Sequence, residues 1–540
     1  FQIGDTLTLD RGRHILMAGV QAERLHYNVV SSSRSRGEFT FSSLANFLRG
    51  SVRTFEGLVP GAEDVTRSYR QSLFGWFIQD EFRVSSQLTL NFGLRHEFVT
   101  VPTERHSRLN NLRDPLDPMV TVGKPFVTSK DNFAPRVGFA WSVTDDGKTA
   151  LRGGAGIFFD QYLAHQWWNS LVRLPPFAVT ARATGADARF PNALAGLTPL
   201  GRDAVFAVDF DHGQPYVYQY NFSLQREVFP QTVVTLAYVG SRGVKLPREA
   251  DWNIGSPGNP VRRNPNFTRI RFRTWDADSF YNSFQLGINR RLMDGFQVQG
   301  SYTLSKSVDD ASSGLGRSEF NNGQQRTSDP FDHKRDRGLS SFDVRQNLVI
   351  NFTADLPFGP GRPFGNSLRG LAERLAAGWQ LSGIVTLSSG IPFTPIIVND
   401  LDGDGTDDNE QRPNLKPGRS NNPTTGRVEQ WFDPSAFESL TAGMRGNLGR
   451  NTIIGPGLAT FDFSVAKNFK ITSVSESLNA QFRAEFFNIF NRTNFSIPAR
   501  SNLEIFADPG PDAMPLPNVG RITSTATTSR QMQFALRISF

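Results

Sequence analysis

The residues whose types and spacing could do chemistry lie in the stretch DLDGDGTDD, which runs from Asp400 to Asp408. Counted from Asp400, oxygen ligands fall at alternate positions, Asp400, Asp402 and Asp404, with a glycine at the sixth position and Asp408 at the ninth. A calcium loop has this order, because carboxylates surround the ion and the glycine permits the sharp turn. The twelfth position is Gln411, where a calcium loop carries a bidentate glutamate. The stretch therefore predicts a calcium site, while a solvated acidic turn without an ion accounts for the same residues.

Other chemical signatures are missing from the sequence. It contains no HExxH, GxSxG or P-loop motif and no cysteine, so it offers neither a motif-defined catalytic site nor a thiolate ligand or nucleophile. The net charge of +7 comes mainly from arginines that are spread along the chain without a basic block. This distribution does not favour nucleic-acid binding and is typical of a solvated face or of contact with anionic lipid headgroups. We predict that the chain is not an enzyme.

The acidic stretch must be held by a scaffold, and the kind of element that builds this scaffold is most evident in the last eleven residues, RQMQFALRISF. Every second side chain there is apolar, and the apolar set consists of Met532, Phe534, Leu536, Ile538 and Phe540. Such alternation predicts a β-strand with one apolar and one polar face. A terminal strand of this kind would be an exposed, adhesive edge unless its sheet closed on itself and its apolar face met lipid.

The overall composition fits many strands of this type. Phenylalanine occurs 46 times, yet the mean hydropathy is only −0.36. The sequence contains no apolar run close to the roughly 18 to 20 residues that a membrane-spanning helix requires. Bulky apolar residues that alternate with polar ones predict an all-β chain that crosses the membrane with strands.

Short turns and long connections alternate along the chain. Turns such as Asp145 to Lys148 and Met293 to Gly295 join period-2 segments into hairpins. The long connections, rich in Gly, Pro, Asn, Asp and Arg, are 28–68, 101–131, 161–215, 241–279, 306–341, 390–456 and 491–529. Outer-membrane barrels have short periplasmic turns and long extracellular loops. The pattern predicts an antiparallel transmembrane β-barrel domain of the outer-membrane type over residues 1–540, in the bacterial outer membrane.

The number of strands carries a further expectation. We count 15 period-2 segments, and the last one starts from a long connection and ends on the short-turn side. Single-chain bacterial barrels have an even number of strands, so an odd count predicts an N-terminally truncated part of a larger barrel, of about 22 strands. The chain begins at Phe1 without a recognisable signal peptide, and we expect signal peptide and plug to lie upstream.

Several longer phrases resemble one family. They are QDEFRVSSQLTLNFGLRHEF at 79–98, NFAPRVGFAW at 132–141, LRGGAGIFFDQ at 151–161, DPFDHKRDRGLSSFDVRQNLVINFTADLPFG at 329–359 and FRAEFFNIFNRTNF at 482–495. In this order they are similar to the barrel of TonB-dependent outer-membrane receptors, most closely the Oar-like subgroup. The resemblance implies a transporter whose plug fills the barrel and whose TonB box, in an upstream region absent here, contacts the inner-membrane motor. It also implies that Phe540 is part of the signal read by the barrel-assembly machinery.

The ligand and its contacts are predicted only in outline. Trp167 and Trp168 lie in a long connection, where they could stack on a ligand, and outer-membrane lipid and lipopolysaccharide are the expected surroundings. The favoured function is the barrel of an energised transporter or receptor with an unidentified ligand. A passive porin-like or structural barrel is the first alternative, and a secreted β-rich carbohydrate-binding protein is the second. No nucleic-acid partner is predicted.

Overall fold

The computed structural model describes residues 1–31, 35–184, 188–192, 198–199, 203–313, 322–323, 326–397, 399–406, 409–470 and 479–540. Within these residues a single large sheet carries fifteen consecutive antiparallel strands that follow one another in chain order. They are β1 (Gln2–Arg11), β2 (His14–Val30), β3 (Thr66–Arg83), β4 (Leu88–Val99), β5 (Phe133–Ser142), β6 (Thr149–Phe159), β7 (Tyr216–Phe229), β8 (Thr232–Asp251), β9 (Phe267–Met293), β10 (Phe296–Asp309), β11 (Gln346–Asp355), β12 (Trp379–Ser388), β13 (Leu458–Lys470), β14 (Asn479–Phe487) and β15 (Gln531–Ser539). The predicted all-β class and the count of 15 strands agree with this architecture.

Each of these strands pairs with the next one along the chain, from β1 with β2 through to β14 with β15. In the part of the chain that the structure describes, β1 has β2 as its strand partner and β15 has β14. The expectation of a larger barrel of about 22 strands stays a prediction.

Turn chemistry fixes the register of the hairpins. Between β9 and β10 the two loop residues are Asp294 and Gly295, with φ values of 53° and 77°. Positive φ at both positions defines a type I′ turn, whose twist matches that of the strands it joins. Met293 then pairs with Phe296. The register shifts by one residue between Met293 and Arg290, and from Arg290 opposite Val298 it continues to Ser279 opposite Asp309.

One face of the sheet is apolar and exposed. On β15 the side chains of Met532, Phe534, Leu536 and Ile538 are 60%, 65%, 67% and 55% exposed. Apolar residues on β3, β5, β7, β8 and β9 are exposed in the same way, among them Trp76, Val137, Phe222, Leu236 and Phe284. An apolar surface of this extent is unstable in water and fits contact with lipid.

The opposite face of the strands is polar. Arg95 and Glu97 on β4 form an ion pair with Nη2 and Oε2 2.6 Å apart, and Gln21 on β2 donates a hydrogen bond of 2.5 Å to Glu23. Phe77 interrupts the apolar–polar alternation of β3, and its ring lies over Gly19 on β2. A Cβ atom at Gly19 would lie only 2.3 Å from the Phe77 ring, so this position has room only for glycine. The aromatic ring thus packs over the bare backbone of the neighbouring strand.

The strands extend beyond the membrane at the end where the long connections emerge. β9 has 27 residues, about 90 Å of extended chain, although a transmembrane strand needs only about 9 to 11 residues. The predicted loop 241–279 is therefore shorter than expected, because β8 continues to Asp251 and β9 starts at Phe267. The other long connections join the strand ends at Val30 and Thr66, Val99 and Phe133, Phe159 and Tyr216, Asp309 and Gln346, Ser388 and Leu458, and Phe487 and Gln531.

The long connections contain short elements of their own. The helices are α1 (Leu44–Leu48) and α2 (Ala164–Leu171), and the 3₁₀ helices are His333–Asp336, Pro434–Ala436 and Arg500–Asn502. The short strands are Glu38–Thr40, Thr54–Glu63, Thr103–Glu104, Asn110–Asn111, Thr121–Val122, Ala178–Thr184, Thr198–Pro199, Asp203–Val208, Gly338–Leu339, Pro392–Phe393, Asn414–Leu415, Thr424–Arg427, Gln430–Phe432, Phe437–Glu438 and Ile453–Ile454. A third helix, α3 (Gly370–Ala376), lies on the short-turn side, between β11 and β12. No helix among the described residues is long and apolar enough to span a membrane.

Candidate cation site in the cap

The long connections and the strand ends that they join form a folded layer, which we call the cap. Two large apolar clusters and two smaller ones hold its described residues together. The first is built around Tyr69, Tyr162, Trp167 and Trp275, and the second around Phe393, Phe432 and Phe437. Buried apolar clusters of this size show that the long connections are packed structure rather than extended loops.

The two predicted ligand contacts belong to this packing. Trp167 on α2 is 1% exposed, and its ring meets that of Tyr69 edge to face with centroids 4.8 Å apart. Trp168 is half-buried, and its ring lies 5.9 Å from that of Tyr27. The structure therefore places Trp167 in the apolar core of the cap, where its ring is not accessible for stacking on a ligand.

Buried ion pairs connect different parts of the cap. Arg412 pairs with Asp336, and Glu249 at the outer end of β8 pairs with Arg273 at 2.8 Å and with Arg326 at 3.2 Å. These side chains are all at least nine-tenths buried. Because a buried charge without a partner is costly, the pairs fix how the connections sit on one another.

The acidic stretch of the sequence forms a tight turn in the cap. Asp400 accepts hydrogen bonds from the backbone N–H of Asp404 at 2.9 Å and of Gly405 at 3.0 Å. The turn requires positive φ at Gly403 and Gly405, which adopt 70° and 90°. The glycine that the sequence pattern places at the sixth position thus has the conformational role expected of it.

This turn brings three carboxylates together. One oxygen from each of Asp400, Asp402 and Asp404 lies within 4.8 Å of the others. Oxygens at 2.3 to 2.6 Å from a calcium ion are separated by at most about 5 Å, so the group has the dimensions of part of a calcium shell. The fourth predicted ligand, Asp408, lies outside the described residues. The other three, Asp400, Asp402 and Asp404, lie next to one another.

The two inner carboxylates are buried and only partly neutralised. Asp402 and Asp404 are 1% and 0% exposed, and each has an oxygen 3.4 Å from the guanidinium of Arg445, which also pairs closely with Asp329. Burial raises the pKa of Asp402 to about 7, and the charge of Asp400 adds to the effect. Burial likewise raises the pKa of Asp404 to about 8, with further contributions from Asp402 and Asp400. A cation between these carboxylates would offset what burial costs them.

The back of the turn is attached to the segment between β8 and β9. The N–H of Gly258 donates to the carbonyl oxygen of Asp402 at 2.7 Å, and the N–H of Gly255 donates to that of Asp404 at 2.8 Å. Thr406 donates through its hydroxyl to Asp251 at 3.1 Å. Segment 399–406 and segment 252–266 are therefore held together by main-chain contacts.

Gln411 stands at the twelfth position, where a calcium loop has a glutamate ligand, and the structure shows what Gln411 does instead. Gln411 donates from Nε2 to the carbonyl oxygens of Ser328 and Asn409, and Glu410 pairs with Arg500. Both side chains thus contribute to packing within the cap. Sequence analysis missed Arg445, which lies 41 residues from Asp404 and has no local signal that points to the acidic turn.

Phe540 follows the last residue of β15 and is 93% exposed. Its side chain is therefore accessible to another protein at the end of the strand. Its predicted role in assembly depends on a partner and stays a prediction.

A family model described as an outer membrane beta barrel domain matches residues 1–533. The chain belongs to the outer membrane β-barrel domain family. This membership, together with the exposed apolar face of the strands, confirms the predicted integral outer-membrane location and a barrel-forming rather than an enzymatic fold.

Several solved structures align with the chain at low sequence identity. All of this chain aligns with 54% of the outer membrane transporter YddB from Escherichia coli, at 8% identity and a TM-score of 0.52. It also aligns with 48% of the ferripyoverdine receptor of Pseudomonas aeruginosa, at 12% identity and a TM-score of 0.46. It aligns with 54% of the siderophore receptor PirA from Acinetobacter baumannii, at 9% identity and a TM-score of 0.47. The chain spans about half the length of these structures. No curated protein sequence matches it.

Proposed function

We propose that this outer membrane β-barrel domain is the wall and extracellular cap of an energised receptor, which takes up a ligand from outside and moves it across the outer membrane. The observation that carries the proposal is the fold match over the whole chain to an outer membrane transporter, YddB. The cap supports it, because the long connections pack around buried cores and ion pairs as a structured surface. Energy would come from TonB through a region outside this chain.

The passive porin-like barrel is the competing function. An open barrel conducts ions continuously, whereas a barrel occupied by a plug does not. The intact gene product, reconstituted in a planar lipid bilayer, should show no steady conductance. A steady, voltage-independent ion current would favour the porin-like alternative.

Energy dependence supplies a second test of the proposal. Cells with and without the gene would be given a panel of labelled ferric siderophores and oligosaccharides, in the presence or absence of a protonophore. We expect gene-dependent uptake of at least one probe, and we expect the protonophore to abolish it. Gene-dependent uptake that persists with the protonophore would contradict the energised mechanism.

The surroundings of the barrel are part of the same proposal. The apolar face of the strands would contact outer-membrane lipid, and arginines of the cap would meet the phosphates of lipopolysaccharide. The barrel-assembly machinery would engage β15 and Phe540, which are exposed in this structure.

A further inference from the structure

Beyond the transport function, we propose that the three carboxylates of Asp400, Asp402 and Asp404 bind a calcium ion that joins segment 399–406 to segment 252–266 of the cap. The proposal concerns the order of the cap and does not depend on which ligand the barrel carries.

The carboxylate oxygens have a geometry that fits calcium. Three carboxylates converge within 4.8 Å on a turn whose glycines adopt the positive φ values that it needs. Oxygen ligands with flexible spacing suit calcium, whereas magnesium demands a smaller and nearly ideal octahedral shell.

One buried oxygen of the three-carboxylate group is unsatisfied. Asp402 is 1% exposed, and its Oδ1 has no hydrogen-bond partner among the described residues. Leaving a buried carboxylate oxygen without a partner is costly, so the atom points to a missing partner. Since the same carboxylate belongs to the three-carboxylate group, a cation there would satisfy it.

The three carboxylates have little positive charge close to them. Within the described residues, Arg445 is the cation at ion-pair distance from Asp402 and Asp404, and it is shared with Asp329. The positive charge of Arg335 also acts on the Asp402 carboxylate, but from beyond ion-pair distance. One shared guanidinium does not neutralise three ionised carboxylates, so the negative charge that develops when the group ionises is one that a divalent ion would compensate.

The consequence for the cap follows from the main-chain contacts. The carbonyl oxygens of Asp402 and Asp404 accept the N–H groups of Gly258 and Gly255, so the residues that would hold the ion also hold the segment between β8 and β9. Calcium would stabilise the turn and therefore both hydrogen bonds. Calcium outside the cell is abundant enough for a site of millimolar to submillimolar affinity, as in other extracellular modules.

Binding would be measured by isothermal titration of the intact gene product in detergent micelles, after removal of metals with a chelator and with CaCl₂ as the probe. We expect one site with a dissociation constant of about 10⁻⁴ to 10⁻³ M and much weaker binding of MgCl₂. Asp402→Asn and Asp400→Asn should each weaken calcium binding by about tenfold or more, because each removes a ligand charge. Asp512→Asn, at an exposed aspartate in another long connection, is the matched control and should leave binding unchanged.

Two results would overturn the site. One is the absence of calcium binding up to about 10 mM, well beyond the expected range. The other is binding that both Asp402→Asn and Asp400→Asn leave intact. Asp400 is exposed, so its variant should fold even if the variant at the buried Asp402 does not.

The coupling would be tested by hydrogen–deuterium exchange of peptides from segment 252–266. Calcium should slow the exchange of the Gly255 and Gly258 amides in the unmodified protein and leave it unchanged in Asp402→Asn. A peptide from the hairpin at Thr424–Phe432 serves as the internal control. Calcium binding without slower exchange in segment 252–266 would refute the coupling while leaving the transport function untouched.

Discussion

Arg412 and Asp336 form an ion pair with Nη1 and Oδ1 2.5 Å apart, in which both side chains are at most 2% exposed. The two residues are 76 positions apart in the sequence. Asp336 also accepts hydrogen bonds from the N–H and the hydroxyl of Ser328, and Arg412 donates from Nε to the carbonyl oxygen of Leu448. The pair thus joins two of the long connections through a fully bonded buried charge.

Removal of one partner of this pair should destabilise the cap strongly. Arg412→Met removes the buried guanidinium that pairs with the Asp336 carboxylate, so we expect a loss of about 3 to 5 kcal/mol in the free energy of unfolding. The exposed pair of Arg419 and Asp433 is the matched control, and Arg419→Met should cost less than about 1 kcal/mol. Urea titration followed by tryptophan fluorescence would measure both, and equal losses would contradict the structural role of the buried pair.

Trp167 should behave as a core residue. Trp167→Ala removes a ring that is 1% exposed, and we expect a loss of about 3 to 5 kcal/mol in stability. The half-buried Trp168 is the matched neighbour, and Trp168→Ala should cost clearly less. Thermal unfolding of the two variants would test this, and a Trp167→Ala variant as stable as the unmodified protein would show that the ring does not hold the cap.

The two faces of β15 should respond differently to charge. Leu536 is exposed on the apolar face and Ala535 lies on the opposite face. Leu536→Arg should cost about 2 to 4 kcal/mol, because it places a charge in lipid, whereas Ala535→Arg should cost much less in a polar lumen. The folded fraction after insertion into lipid vesicles, read from heat-modifiable gel mobility, would measure the difference. Similar losses would argue against the assignment of the faces.

The stability of the cap should fall in mild acid because of His212. This histidine is 4% exposed, its ring lies 4.4 Å from that of Trp275, and burial lowers its pKa to about 4, although the Gly213 carbonyl and Asp211 act in the opposite direction. The unfolded chain binds a proton near pH 6.5, so folding excludes that proton, and stability decreases as the pH falls from about 6.5 to about 4. Between pH 7 and pH 5 the loss should be about 2 kcal/mol.

His212→Gln is the variant that isolates this effect, because glutamine is polar and does not titrate. The decrease in unfolding temperature from pH 7 to pH 5 should be smaller in this variant than in the unmodified protein. An unchanged pH dependence would show that His212 is not the responsible group.

Phe540 should matter for assembly in the cell and not for the stability of the folded sheet. Phe540→Ala is expected to lower the amount of protein in the outer membrane, while folding into lipid vesicles without assembly factors stays unchanged. Phe487→Ala, at an exposed phenylalanine near the other end of the neighbouring strand, is the control. Equal effects of Phe540→Ala in cells and in vesicles would indicate a stability defect instead of a lost signal.

The sequence by itself determined the sheet. Alternation with a period of two and turn residues such as Asp294 and Gly295 are local properties, since each side chain's face follows from its position in the strand. For this reason the fifteen strands, their antiparallel order and the apolar face of β15 could be predicted. The acidic turn could also be predicted from local sequence, because Asp400, Asp402 and Asp404 are close together in the chain.

Only the tertiary structure decided what surrounds those elements. Trp167 could be exposed or buried in a long connection, and its position in the core follows from contacts with residues far away in the chain, such as Tyr69. Arg445 likewise reaches Asp402 and Asp404 across about forty residues, with no periodic pattern to announce it. Packing between distant segments depends on shape and charge complementarity that local periodicity does not encode, and this is why the cap had to be seen in three dimensions.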